Sequence, residues 1–255
     1  MKKYIIVAAL FTILQSQAQL SPITYKDGTQ KLNGFAAVPQ KNTQSGAGIL
    51  ILPAWKGIDK HSKDTAEKLA SMGYNAFIAD IYGEGNYPKD ATEAGKQSGF
   101  YKKDFASYQK RIALALQQLI LSGANKDKIV VIGYCFGGTG ALEAARGGMN
   151  VKGVVSFHGG LGKDVSRSSK PIATKILVCH GADDNFVPAI EVAAFQEEMR
   201  TSNADWQMVY YADAVHAFTE PEAGNDTSKG VAYNEKAAKR SWEHFMVFLK
   251  EVLEQ

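Results

Sequence analysis

Cys135 is the residue of this chain with the strongest claim to act as a nucleophile. It stands in Gly133-Tyr134-Cys135-Phe136-Gly137, with Gly138 next, where an apolar run gives way to a stretch of small residues. In the serine form of this pattern, the nucleophile elbow, the reactive residue takes a strained backbone and flanking glycines avoid clashes with a neighbouring strand and helix. With 24 Gly among 255 residues, chance places Gly on both sides of either of two cysteines in roughly 2% of cases. The pattern therefore predicts a sharp turn that presents a thiol. The next amide, that of Phe136, would open a helix and can donate to an oxyanion. A thiol also needs a base, and the base needs an orienting acid. Asp183 and Asp184 follow an apolar run in "CHGADDNFVP", and His216 lies in "YYADAVHAFTEP" beyond another. Taken singly, such an Asp is commonly a helix N-cap and such a His structural. In the order nucleophile, acid, base, each past a strand end, they predict acyl transfer to sulfur.

Three such residues meet only if the frame brings strand ends to one edge. Residues 46–53, 75–82, 128–135, 151–159 and 175–181 are apolar runs rich in Ile and Val, as strands buried on both faces require. Between them, residues 59–73, 105–123, 139–148, 189–200 and 234–255 carry helical periodicity, several ending at Gly. Asp27-Gly28 between two strand-like runs reads as a hairpin opening the sheet. Strands alternating with helices predict an α/β fold with a mainly parallel sheet covered on both faces, and ligands beyond the carboxyl ends of its strands.

At this point the chain resembles the dienelactone hydrolase family of α/β-hydrolases, over nearly all of residues 21–255. The resemblance is carried by "GYCFGG", "HGADDNFVP" and "VHAF", with "ADIYG" and "SFHG" in support. It implies an α/β-hydrolase fold with Cys135 as nucleophile, Asp184 rather than Asp183 as acid, His216 as base, and the amides of Trp55 and Phe136 as the oxyanion hole. It also implies a pocket near Ala54, Glu84, Tyr134, His158 and Glu220. The departures are informative. Where dienelactone-cleaving members carry a glutamate beside the resting thiol, this chain has Ala54, and where they hold the substrate carboxylate with arginines it has Glu84 and Glu220. Two acidic groups repel a carboxylate. The expected substrate is therefore a neutral or cationic small-molecule ester or lactone, not dienelactone. The rival reading is a catalytically weak or inactive binding protein on the same fold.

The remaining features bound the setting. A net charge of +3 from 29 basic and 26 acidic residues, without clustering, argues against a nucleic-acid partner. Lys2 and Lys3, the apolar run Tyr4–Leu14 and the small residues Ser16 and Ala18 read as a secretory signal over 1–18, too short to span a bilayer. The expectation is one domain over 19–255, periplasmic or secreted, without a stable membrane anchor, and a monomer or small homo-oligomer. No metal or cofactor is expected: the two cysteines, Cys135 and Cys179, are too few for a zinc ribbon or a stapled scaffold. In an oxidising compartment they could form one disulfide. Cys179, inside an apolar run, reads instead as a buried thiol.

Overall fold

The structure is a computed structural model describing residues 19–41 and 44–254, so the leader expected at 1–18 lies outside the described residues. The apolar runs become strands of one sheet. β1 (Leu20–Asp27), β2 (Gln30–Ala37), β3 (Gly48–Leu52), β4 (Asn75–Ile78), β5 (Ile129–Tyr134), β6 (Gly153–Phe157), β7 (Lys175–Gly181) and β8 (Trp206–Tyr211) form an 8-stranded sheet ordered β1-β2-β4-β3-β5-β6-β7-β8. The first two are the hairpin read at Asp27-Gly28, paired from Leu20↔Ala37 to Asp27↔Gln30. β2 also runs antiparallel to β4, and the remaining pairings are parallel.

Around the sheet lie α1 (Lys60–Ser71), α2 (Ala91–Lys103), α3 (Phe105–Leu121), α4 (Phe136–Arg146), α5 (Ala189–Thr201) and α6 (Glu235–Leu253). Side chains alternate across a strand, and both faces here are apolar because each meets helices. Ile49, Ile51, Val130 and Ile132 join Leu69 of α1 and Phe245 and Leu249 of α6 in one buried cluster. Leu50, Leu52 and Val131 join Ile112 of α3, Leu142 of α4 and Phe195 of α5 in the other. Fully burying one such side chain contributes about 1.5–3 kcal/mol, so the frame that carries the site is held from both sides. No helix of the described residues is long and apolar enough to cross a membrane.

Two elements depart from the sequence reading. The helical run read over 139–148 extends back to Phe136, so α4 begins immediately after Cys135, as expected of the Phe136 amide, and ends at Arg146. α2 was not foreseen. Its sequence, ATEAGKQSGFYKK, has two glycines and buries only Ala94, Ser98 and Tyr101, a thin stripe; Asp90 caps it by accepting from the Glu93 amide at 2.8 Å.

Candidate active site

β5 runs straight into α4, and Cys135 takes up the whole change of direction. Its φ of 52° and ψ of −112° lie where non-glycine residues are strained, and its amide is tied to the Phe157 carbonyl at 3.0 Å. The flanking glycines are there for space. A Cβ on Gly133 would lie 1.9 Å from the Gly137 oxygen, and one on Gly137 would lie 2.0 Å from the Leu52 oxygen.

Asp184 lies in the turn after β7, its amide bonded to the Gly181 carbonyl at 3.1 Å and one carboxylate oxygen accepting from the Phe186 amide at 2.9 Å. The other oxygen meets His216 Nδ1 at 2.8 Å, and His216 Nε2 lies 3.0 Å from Cys135 Sγ. A carboxylate only accepts, so Nδ1 carries a hydrogen and Nε2 is the nitrogen that exchanges a proton with the sulfur. His216 sits in the long loop after β8, where its own amide donates to the Gly230 carbonyl and its carbonyl accepts from the Ala232 amide. Burial opposes a charge on this ring, but the hydrogen bonds to Asp184 and Cys135 outweigh it and lift the pKa to about 10.

The two amides expected to form an oxyanion hole are anchored from behind. Phe136 is the first residue of α4, so its N–H has no acceptor within the helix. Its carbonyl accepts from the Tyr108 hydroxyl at 3.0 Å, and its ring stacks on Tyr108 with centroids 4.6 Å apart. The Trp55 carbonyl accepts from the Tyr82 hydroxyl at 2.6 Å, and Tyr82 stacks on the other ring neighbour, Phe136. These two tyrosines escaped the sequence reading, because nothing in their spacing links them to residues 55 and 136.

Over Cys135 opens a cavity of about 420 Å³. Trp55, Phe136, His216 and Glu220 line it, joined by residues that sequence reasoning missed: Ser98 and Lys102 from the unforeseen α2, and Phe186 and Val187 from the turn after Asp184. Phe186 and Val187 had a signal, since they belong to the quoted "DNFVP" stretch. Glu220 is half-buried, and the desolvation of its carboxyl, reinforced by Asp59, lifts it to about 7.

The other expected pocket residues lie outside this cavity. Glu84 is exposed, with its amide bonded to the Lys31 carbonyl and its carboxylate 3.7 Å from Lys31 Nζ, so its loop is tied to the β2 edge. Tyr134 points to the opposite face of the sheet, as alternation beside Gly133 requires, and stacks on Phe157 and against His61. His158 is fully buried behind the His216 ring: its Nε2 meets Thr219 Oγ1 at 2.7 Å and its ring abuts His216 edge-on at 5.4 Å. Burial, then His216 and His61, holds it neutral. Ala54 is buried and does not line the cavity.

Both cysteines are free thiols. Tyr134 pairs with Phe157 and Phe157 with Cys179, so two strand spacings, roughly 9–10 Å, separate Tyr134 from Cys179, and Cys135 lies one residue beyond Tyr134, past the end of that register. That exceeds the roughly 7 Å a disulfide tolerates between Cα atoms. Cys179 is buried against the Tyr211 hydroxyl, and burial pushes its thiol up to about 12. Among the described residues, no group of three or more His, Cys, Asp or Glu is placed to hold a metal ion.

A family model described as the dienelactone hydrolase family matches residues 32–253. A solved structure named m3DLH aligns with a TM-score of 0.86 at 31% identity, over 92% of this chain and 98% of that one. The crystal structure of a dienelactone hydrolase-like promiscuous phosphotriesterase from metagenomic libraries aligns with a TM-score of 0.83 at 32% identity, over the same shares. A Bradyrhizobium protein named "Probable 2-oxo-3-(5-oxofuran-2-ylidene)propanoate lactonase" is 28% identical over 79% of this chain and 82% of its own length.

Proposed function

Because this chain belongs to the dienelactone hydrolase family, we propose that it hydrolyses small-molecule esters or lactones through Cys135, His216 and Asp184 and an acyl-thioester intermediate. The observation that carries this reading is the unbroken relay from the Asp184 carboxylate through His216 to Sγ, with links of 2.8 and 3.0 Å, at the floor of a cavity. Sulfur, its proton resting on His216 Nε2, attacks the carbonyl carbon. The carbonyl oxygen takes up the negative charge within reach of the Trp55 and Phe136 amides. His216 returns the proton to the departing alkoxide, leaving a thioester and an alcohol. The neutral ring then takes a proton from water, which attacks the thioester and releases the acid and the thiol. Asp184 holds the tautomer throughout and stabilises the charged ring.

The geometry does not favour an inert binding protein, since nucleophile, base and acid stand within hydrogen-bond reach of one another. The test is a panel of aryl esters and lactones of varied charge, with a neutral aryl phosphotriester included because of the similar phosphotriesterase. Turnover with a stoichiometric burst, and an acyl adduct on Cys135 seen by mass spectrometry, are expected. Normal turnover by Cys135→Ala would overturn the mechanism. We further propose that the mature protein begins near Gln19 after export, which N-terminal sequencing of the protein from a periplasmic or culture fraction checks.

A further inference from the structure

Among the described residues, Glu220 is the one carboxyl group in the wall of a cavity that Trp55, Phe136, Phe186 and Val187 make largely apolar. It shares that cavity with the Lys102 ammonium and the Ser98 hydroxyl from α2 and with Cys135 and His216. Its backbone is set by the turn that follows His216, with the Glu220 amide donating to the Ala217 carbonyl at 2.9 Å. One carboxyl oxygen, Oε1, is buried and has no hydrogen-bond partner among the described residues. A buried acceptor left unmatched is costly to the folded chain, and a ligand that supplies the missing donor recovers that cost on binding. A site built around such a group discriminates strongly, because an analogue without the donor leaves the acceptor unpaired.

Building on the hydrolase reading, we propose that Glu220 is a specificity-determining residue of this cavity, accepting a hydrogen bond from a hydroxyl or ammonium group of the substrate. The preferred substrates are then hydroxy- or amino-substituted esters and lactones. Plain alkyl analogues leave Oε1 unpaired, and a carboxylate placed at Glu220 meets repulsion there, against the attraction of Lys102 across the cavity.

The test compares aryl esters of one alkanoic acid with those of its terminal hydroxy, ammonio and carboxylate analogues, on the wild type, Glu220→Met and Glu220→Gln. In the wild type, kcat/KM for the hydroxy and ammonio esters is expected to exceed that for the alkyl ester by roughly tenfold or more, with the carboxylate ester lowest. In Glu220→Met the alkyl ester gains while the donor-bearing esters lose, and their ratio falls to about one. A misfolded protein loses all four together, so the opposing signs separate a specificity role from a structural one. Glu220→Gln keeps an acceptor but no charge; it retains the hydroxy preference and loses the ammonio preference. The same ratios are read as Kd in the Cys135→Ala background, where turnover is not needed. Absence of turnover with those binding ratios intact would sink the hydrolase reading and leave the role of Glu220 standing. A wild-type ratio near one, or a ratio unmoved by both substitutions, overturns the assignment of Glu220 even if hydrolysis is demonstrated.

Discussion

At the scale of single residues, the proposed chemistry rests on a sulfur held in a strained turn and a ring held charged beside it. Cys135→Ala leaves the glycine-lined turn intact and removes the bond-forming atom, so turnover of an activated aryl ester should fall by at least about 10³-fold with the thermal unfolding midpoint little changed. His216 is lifted to about 10 against its own burial by Asp184 and Cys135. In the proposed mechanism its proton goes to the leaving group, so activity should decline on the alkaline side near that pH. Asp184→Asn removes the negative partner of Nδ1, and the alkaline limb should move down by about 1–3 pH units, measured as kcat/KM against pH. Glu220 gives the opposite kind of pH effect. Its carboxyl is lifted from the usual 4.5 to about 7, first by burial and then by Asp59, against His216 and Lys56 and with Glu222 adding to the rise; Lys102 faces the same cavity. A carboxyl with a raised folded pKa holds its proton more tightly when folded. Its stability penalty is therefore absent below about 4.5, grows as pH rises, and is complete above about 7. Glu220→Gln should consequently stabilise the protein at pH 8, by up to about 3 kcal/mol, and make little difference at pH 4. Equal effects at both pH values would mean that the carboxyl is not the titrating group.

At the scale of elements, what the sequence made legible was whatever local pattern encodes. The strands announced themselves as apolar runs, and G-x-C-x-G announced the β5-to-α4 turn, because a Cβ at either flanking glycine meets backbone oxygen at 1.9 or 2.0 Å. Gly133→Ala should therefore fail to fold to a soluble protein or lose several kcal/mol in urea unfolding, however conservative the change looks. Long-range partners were not legible. α2 carries a thin buried stripe and two glycines, yet it delivers Ser98 and Lys102 to the cavity. Glu84 and Tyr134 were expected in the pocket from the family resemblance and from their places at strand ends. The loop around Glu84 is pulled to the β2 edge by backbone bonds, and strand alternation sends Tyr134 to the far face. The tyrosine anchors were equally invisible. Tyr82 reaches the Trp55 carbonyl across 27 residues and Tyr108 the Phe136 carbonyl across 28. Tyr82→Phe keeps the ring stack and frees the Trp55 carbonyl, loosening the residue whose N–H is proposed to meet the oxyanion, so kcat should fall by roughly tenfold with KM little altered. A change confined to KM would show that Tyr82 shapes the cavity and does not position the amide.

At the scale of the whole molecule, the helix that presents the Phe136 amide at its N-terminus is anchored at its C-terminal end by a buried ionic cluster. Arg146 of α4 meets Glu143 at 3.1 Å and Glu198 of α5 at 2.7 Å, and donates to the Leu161 carbonyl after β6. Arg167 closes on Glu143 at 2.9 Å from the following loop. The Arg146 and both carboxylate side chains are no more than 6% exposed. Exposed pairs such as Arg200–Glu197 carry little weight, about 0.2–1 kcal/mol. A buried cluster behaves differently: forming it repays desolvation only through complete pairing, but breaking it strands charge in the interior. Arg146→Ala leaves Glu198 with only a distant Lys163, and Glu143 with Arg167 as its one remaining cation beside the Gln109 amide at 2.9 Å, and should cost about 3–5 kcal/mol. Arg200→Ala should cost under about 1 kcal/mol. Urea unfolding of the two variants decides between these cases, since similar shifts in midpoint would mean that the cluster is no more than a surface network. If the large shift is found, loss of catalysis at sub-denaturing urea should precede global unfolding in Arg146→Ala. The helix released at one end is the one whose first turn must stay aligned with the sulfur at the other.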